Sequence, residues 1–91
     1  MMSELIQKEQ IQFLTFPQKE VLTECKDKLE RIYELKRAMV LGNIERQKVR
    51  ITFKDIECVR SVETTIWGIT DSSVILKNSI IIPLKRILKI A

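Results

Sequence analysis

The β-branched residues of this chain are crowded into its second half. Ile, Val and Thr number 7 among residues 1–43 and 19 among residues 44–91. A β-branched side chain loses χ1 freedom in a helix and fits the pleated surface of a strand. The change at Gly42-Asn43 therefore predicts a mainly helical front half and a sheet behind it. Charge divides at the same point. Residues 1–43 hold seven basic and seven acidic groups, and residues 44–91 hold nine basic and five acidic groups, so the net charge of +4 belongs to the sheet half. A chain of 91 residues hides only about 60% of its unfolded surface on folding, which leaves room for one modest core. The two segments, 1–43 and 44–91, are thus expected to form one structural domain.

The front half predicts a helix at about 17–41. Pro17 suits a first helical turn, where its missing N–H would be unpaired anyway, and Thr15 precedes it as a cap. Leu22, Cys25, Leu29, Ile32 and Met39 recur at intervals of three, four and seven and define an apolar stripe. Leu22, Leu29 and Ile32 are its candidate interface residues, holding the helix to the sheet or to a partner. Gly42-Asn43 supplies the left-handed stop expected at a helix end. Ile11 to Phe16 fits either a short strand or a helical turn packed on the sheet.

The back half predicts five strands with tight connections. Arg46 to Lys54 alternates, with Val49, Ile51 and Phe53 on one side and Lys48, Arg50, Thr52 and Lys54 on the other. Asp55 to Glu57 reads as a turn, and Val59 to Thr70 as one long strand with a bend at Gly68. Asp71-Ser72-Ser73 is a hairpin turn by composition. Val74 to Lys77 follows as a short strand, Asn78-Ser79 as a two-residue turn, and Ile80 to Ile82 as another strand. Pro83 ends that strand, Leu84-Lys85-Arg86 fits one tight helical turn, and Ile87 to Ile90 closes the sheet. Five strands this rich in Ile, one of them long and bent, favour closure, because an open sheet would leave adhesive edges. The expected fold is α+β: an N-terminal helix followed by a five-stranded, strongly bent antiparallel small barrel.

The stretch Trp67-Gly68-Ile69-Thr70, Val74-Ile75-Leu76-Lys77, Ile82-Pro83-Leu84-Lys85-Arg86-Ile87 and Ile90 resembles the end of small SH3-like and Sm-like barrels. It is also similar to the ending of YolD-like bacterial proteins, and with Val62 to Trp67 it looks like short bacterial proteins that carry a leading helix. The resemblance covers about the last 30 residues. It implies a fold, with protein or nucleic-acid binding, and supplies no catalytic residue. Lys54-Asp55-Ile56 stands where an Sm-like protein has an Asp-Gly turn.

Composition narrows the chemistry. The chain has no His, which removes imidazole acid–base catalysis, Ser-His and Cys-His nucleophile pairs and His-ligated metal. Two Cys cannot build a four-thiolate zinc site within one chain. No catalytic, metal or cofactor residues are therefore assigned, and an enzyme is not expected. Met1 to Gln10 carries Glu4, Lys8 and Glu9 and lacks the apolar stretch of a signal peptide. The longest apolar run, Ala38 to Leu41, is far short of the roughly 20 residues of a membrane span. A reduced, cytoplasmic protein without a membrane partner or small-molecule substrate is expected.

Two surfaces are candidates for binding. Arg46, Lys48, Arg50 and Lys54 share one strand face, and Arg60, Lys85, Arg86 and Lys89 could enlarge the patch into a phosphate-binding surface for RNA or DNA. The competing reading is a solvated face balanced by Glu57 and Glu63, with Glu63 in a cross-strand ion pair to the ladder. The second candidate is apolar. Trp67 either packs beneath the helix, its commoner fate, or points outward and marks a binding surface. In Ile80-Ile81-Ile82 both strand faces are apolar, so Ile81 must be covered by the helix, by residues 11–16 or by another subunit. Protein partners, including copies of the chain itself as a homo-oligomer, are favoured over nucleic acid.

Overall fold

The computed structural model describes residues 4–45 and 48–90. The protein is α+β, with one α-helix among the described residues, near the N-terminus, and strands in two sheets. A short strand, β1 (Glu4–Ile6), leads into a 3-10 turn at Lys8–Phe13 and then into α1 (Cys25–Glu45). Six strands follow: β2 (Val49–Lys54), β3 (Val59–Thr64), β4 (Ile66–Ile69), β5 (Ser73–Leu76), β6 (Ile80–Pro83) and β7 (Ile87–Ile90). The first sheet has the order β1-β3-β2-β7 and the second the order β4-β5-β6. All neighbours are antiparallel except β1, which runs parallel to β3. Thr65 alone separates β3 from β4, so one residue carries the chain from one sheet to the other.

The alternation in the sequence sets which side of each strand is buried. Ile51 and Phe53 of β2, Val62 of β3, Ile66 of β4, Val74 and Leu76 of β5, Ile82 of β6 and Ile87 of β7 fill the core. Ile6, Ile11, Leu35, Ala38 and Leu84 join it from β1, the 3-10 turn, α1 and the turn before β7. The 3-10 turn at Lys8–Phe13 packs against β6, which shields that edge strand. Residues 11–16 thus resolve into the end of this turn and a stretch without regular structure.

The helix departs from the sequence reading at both ends and in the face it buries. It starts at Cys25, not near Pro17. Residues 14–24 are held by tertiary bonds that a helix there would forgo. The Ile56 N–H donates to the Thr15 carbonyl (2.9 Å) and the Val21 N–H to the Lys85 carbonyl (2.9 Å). Phe16 packs against Phe53 at a ring-centroid distance of 5.8 Å. At the other end α1 runs through Gly42 to Glu45, and Gly42 has no left-handed φ. Arg31, Leu35, Ala38 and Gly42 form the buried face, which packs against β4 and β7. Ala38 and Gly42, one turn apart, are the small residues of this face. Leu29 and Cys25, expected in the buried stripe, are exposed, while Leu22, Ile32 and Met39 are half-buried at its margin.

The strand half follows its pattern more closely. The long strand expected from Val59 to Thr70 is divided at Thr65, whose carbonyl accepts the Lys77 N–H (3.0 Å), and the irregularity lies between Ile66 and Gly68 in the pairing with β5. Gly68 is not required by space, since a Cβ there would stand 3.8 Å from Ile75 Cδ1. Asn78 and Ser79 both have positive φ (67° and 62°), the geometry of a tight two-residue hairpin turn. Leu84–Arg86 forms the expected single turn between Pro83 and β7.

Candidate interaction surfaces

The charged residues fall into two groups, those consumed inside the fold and those left at the surface. Asp55 organises the β2–β3 hairpin. Its Oδ1 accepts the N–H groups of Glu57 (2.8 Å) and Cys58 (2.7 Å), and its Oδ2 accepts Arg60 Nε (2.6 Å). Burial pushes the Asp55 carboxyl up, but the Cys58 N–H, the Arg60 guanidinium and the Glu57 N–H together outweigh it and hold the group below its ordinary value. Arg60 also reaches Glu4 (3.2 Å) and Glu57 (3.6 Å). The hydrogen bond to Asp55 raises the Arg60 pKa despite desolvation. This residue, placed in the basic patch by sequence, is thus enclosed by three carboxylates.

Arg86 is also withdrawn from the surface. It is buried and donates to the carbonyls of Lys54 (Nε, 2.9 Å), Lys19 (Nη1, 2.7 Å) and Asp55 (Nη2, 3.5 Å). It pins the turn before β7 to the end of β2 and to the 14–24 segment, and presents no charge to a phosphate. Arg31 does a similar task on the helix. Its guanidinium makes a bidentate pair with Glu20 (2.8 and 2.6 Å) and donates to the Ile87 carbonyl (3.0 Å). The Arg31 hydrogen bonds, against the opposing effect of burial and with help from the Leu22 N–H, hold the Glu20 carboxyl at about 2.

On the outer face of the first sheet, the cross-strand register sets Arg50 opposite Glu63. The two form the expected ion pair through Arg50 Nε (3.1 Å) and Nη2. Lys54 shares that face on β2, and the β2–β7 register sets Lys89 opposite Thr52 between them. Lys48, Lys54, Lys85 and Lys89 are exposed and form no ion pair with the described residues. Arg46 lies outside the described residues. The eight-residue basic patch therefore reduces, among the described residues, to four exposed lysines and one arginine paired with Glu63.

The apolar candidates lie at the surface. Trp67, in the β4 irregularity, is 52% exposed, so it is not enclosed beneath the helix, and Ile81 on β6 is 53% exposed. The pairing of β4, β5 and β6 aligns Gly68, Ile75 and Ile81 in one cross-strand row. Ile81 thus stays largely exposed although the 3-10 turn packs against β6. A second apolar surface escaped the sequence reading. Leu29 (64%), Tyr33 (64%) and Val40 (51%) stand out from α1 on the side opposite its core face. Their spacing of four and seven is present in the sequence, and of the three only Leu29 is expected at an interface, with the sheet or with a partner.

Cys25 and Cys58 are free thiols. Among the described residues, no three His, Cys, Asp or Glu side chains gather as metal ligands, and no helix is long and apolar enough to cross a membrane. Comparison of the chain with protein-family models, with curated proteins and with solved structures gives no match.

Proposed function

We propose that the chain is a non-enzymatic interaction module, built on a small SH3-like or Sm-like barrel, that binds protein partners including copies of itself. Support for the barrel reading comes from the path of the chain: β2, β3 bending through Thr65 into β4, then β5, β6, a single 3-10 turn and β7 returning beside β2. The observation that carries the binding reading is the exposure of large apolar side chains on regular elements, with Trp67 and Ile81 on the second sheet. Such side chains in a core would each contribute about 1.5–3 kcal/mol, and left in water they are a reason to associate. A chain without His offers little acid–base chemistry near neutral pH, which favours binding over catalysis. A reducing, cytoplasmic setting belongs to the same proposal and is supported by the two free thiols.

The test is capture from cell extract by the tagged protein, with and without nuclease, compared with a Trp67→Ser/Ile81→Ser variant. Capture that survives nuclease and is lost in the variant supports the reading. Capture that disappears with nuclease, or that the variant retains in full, overturns it. A second reading, a nucleic-acid surface, is favoured by one observation: the strand register gathers Arg50, Lys54 and Lys89 on a single sheet face. The commitment of Arg50 to Glu63, of Arg60 to Asp55 and of Arg86 to backbone carbonyls leaves it the weaker of the two.

A further inference from the structure

The outer face of α1 has the spacing of a coiled-coil seam. Leu29, Tyr33, Lys36 and Val40 are separated by four, three and four residues, the alternation that keeps a row of side chains facing a neighbouring helix. The core face of Arg31, Leu35, Ala38 and Gly42 has the same alternation on the opposite side of the helix. One helix thus carries two seams, and the described residues occupy only one of them.

The exposed seam is complementary to itself when reversed. With a two-fold axis between residues 34 and 35, Leu29 meets Val40 of the partner subunit, and Tyr33 meets Lys36 of the partner subunit. The first contact is aliphatic. The second lays an ammonium over a phenol ring, an attraction that strengthens as water is excluded. The flank of the seam obeys the same symmetry. Glu30 and Arg37 lie on one side of it, both exposed, and neither is ion-paired with a described residue. Reversal sets Glu30 beside Arg37 of the partner subunit, and the two-fold axis makes this pair twice. Parallel pairing would instead stack Lys36 on its own copy in one layer and leave both flanking charges without a partner. Charge complementarity therefore selects an antiparallel arrangement and a second copy of this chain as the occupant.

We propose that this chain forms an antiparallel homodimer through the Leu29-Tyr33-Lys36-Val40 face of α1. The proposal rests on the self-binding part of the function above and gives it a surface and a geometry. From Leu29 to Val40 the seam is about 16 Å long at 1.5 Å per residue, so the contact is small and the dimer reversible.

The experiment is sedimentation equilibrium of the full chain from about 10 µM to 1 mM, the range in which a contact this small dissociates. Wild type should rise from the monomer mass of 10.7 kDa toward twice that value with concentration. Glu30→Arg and Arg37→Glu should each weaken dimerisation by about tenfold, because two rim attractions become two repulsions. An equimolar mixture of the two variants should recover the wild-type association, since every flanking pair is again of opposite sign. Circular dichroism melts check that both variants fold. Wild type that stays monomeric at 1 mM overturns the homodimer but leaves binding of other proteins through Trp67 and Ile81 to its own test. Association that is indifferent to both variants overturns the seam. Weakening in each variant without recovery in the mixture overturns the antiparallel pairing.

Discussion

The Glu20–Arg31 pair should dominate the response of this protein to acid, and Glu20→Gln is the substitution that reveals it. Glu20 lies in the 14–24 segment, which has no regular secondary structure, and its carboxylate takes two hydrogen bonds from a guanidinium that is almost fully buried on α1. The folded carboxyl titrates at about 2, against an ordinary value of 4.5. The difference, about 2.5 pH units at about 1.4 kcal/mol each, corresponds to roughly 3 kcal/mol. Breaking one partner of a buried pair costs about 3–5 kcal/mol by an independent route, so the two figures agree in size. Against a total stability of about 5–15 kcal/mol this is a large share. The folded pKa is depressed, so the contribution is fully present above the unfolded value near 4.5 and is lost as pH falls toward 2. Urea unfolding followed by far-ultraviolet circular dichroism between pH 7 and pH 2 measures it. Glu20→Gln should be less stable by about 3 kcal/mol at pH 7, and its curve should converge on that of wild type at pH 2. In an Arg31→Leu background the same substitution should cost little, because the partner is already gone. Wild-type and variant curves that run parallel from pH 7 to pH 2 would refute the linkage.

Other expectations follow from burial and backbone geometry. Leu35→Ala should cost about 2–5 kcal/mol in thermal or urea unfolding, whereas Leu29→Ala should change the monomer by less than about 0.5 kcal/mol. Equal losses at the two positions would contradict the assigned helix face. Ser79 sits at positive φ in the β5–β6 turn, so Ser79→Gly should stabilise by about 1 kcal/mol and raise the melting temperature by roughly 4–8 °C. A lower melting point would argue against that turn geometry. Should the protein bind single-stranded nucleic acid, the exposed lysines at 48, 54, 85 and 89 limit the log–log salt slope to about −3. A slope near −6 would need more than about eight contacts, and would overturn the confinement of binding to these lysines.

The alternation of Val49, Ile51 and Phe53 with Lys48, Arg50 and Thr52 was enough to place β2 and its buried side, because period two is a local property of a strand. The Asn78-Ser79 turn, the stop at Pro83 and the turn at Leu84–Arg86 were legible for the same reason: each depends on the φ preferences of one or two residues. Glu63 was legible as a partner of the basic ladder, since oppositely charged neighbours are common across antiparallel strands. The helix was legible in kind but not in extent or orientation. Pro17 and Gly42 are plausible helix boundaries by local preference, yet the Lys85 carbonyl, the Asp55 turn and the Phe53 ring hold residues 14–24 out of the helix, and Gly42, buried on the face that packs against the sheet, stays within it. A helix with two apolar faces offers the sheet a choice that periodicity cannot make. The face that is buried carries Arg31, Leu35 and Ala38, and there the guanidinium meets both Glu20 and the Ile87 carbonyl. Arg60 and Arg86 follow the same logic. Their charge is written in the sequence, but whether an arginine faces solvent or closes the interior depends on carbonyls and carboxylates that lie 3 to 67 residues away along the chain and meet it only in the folded state.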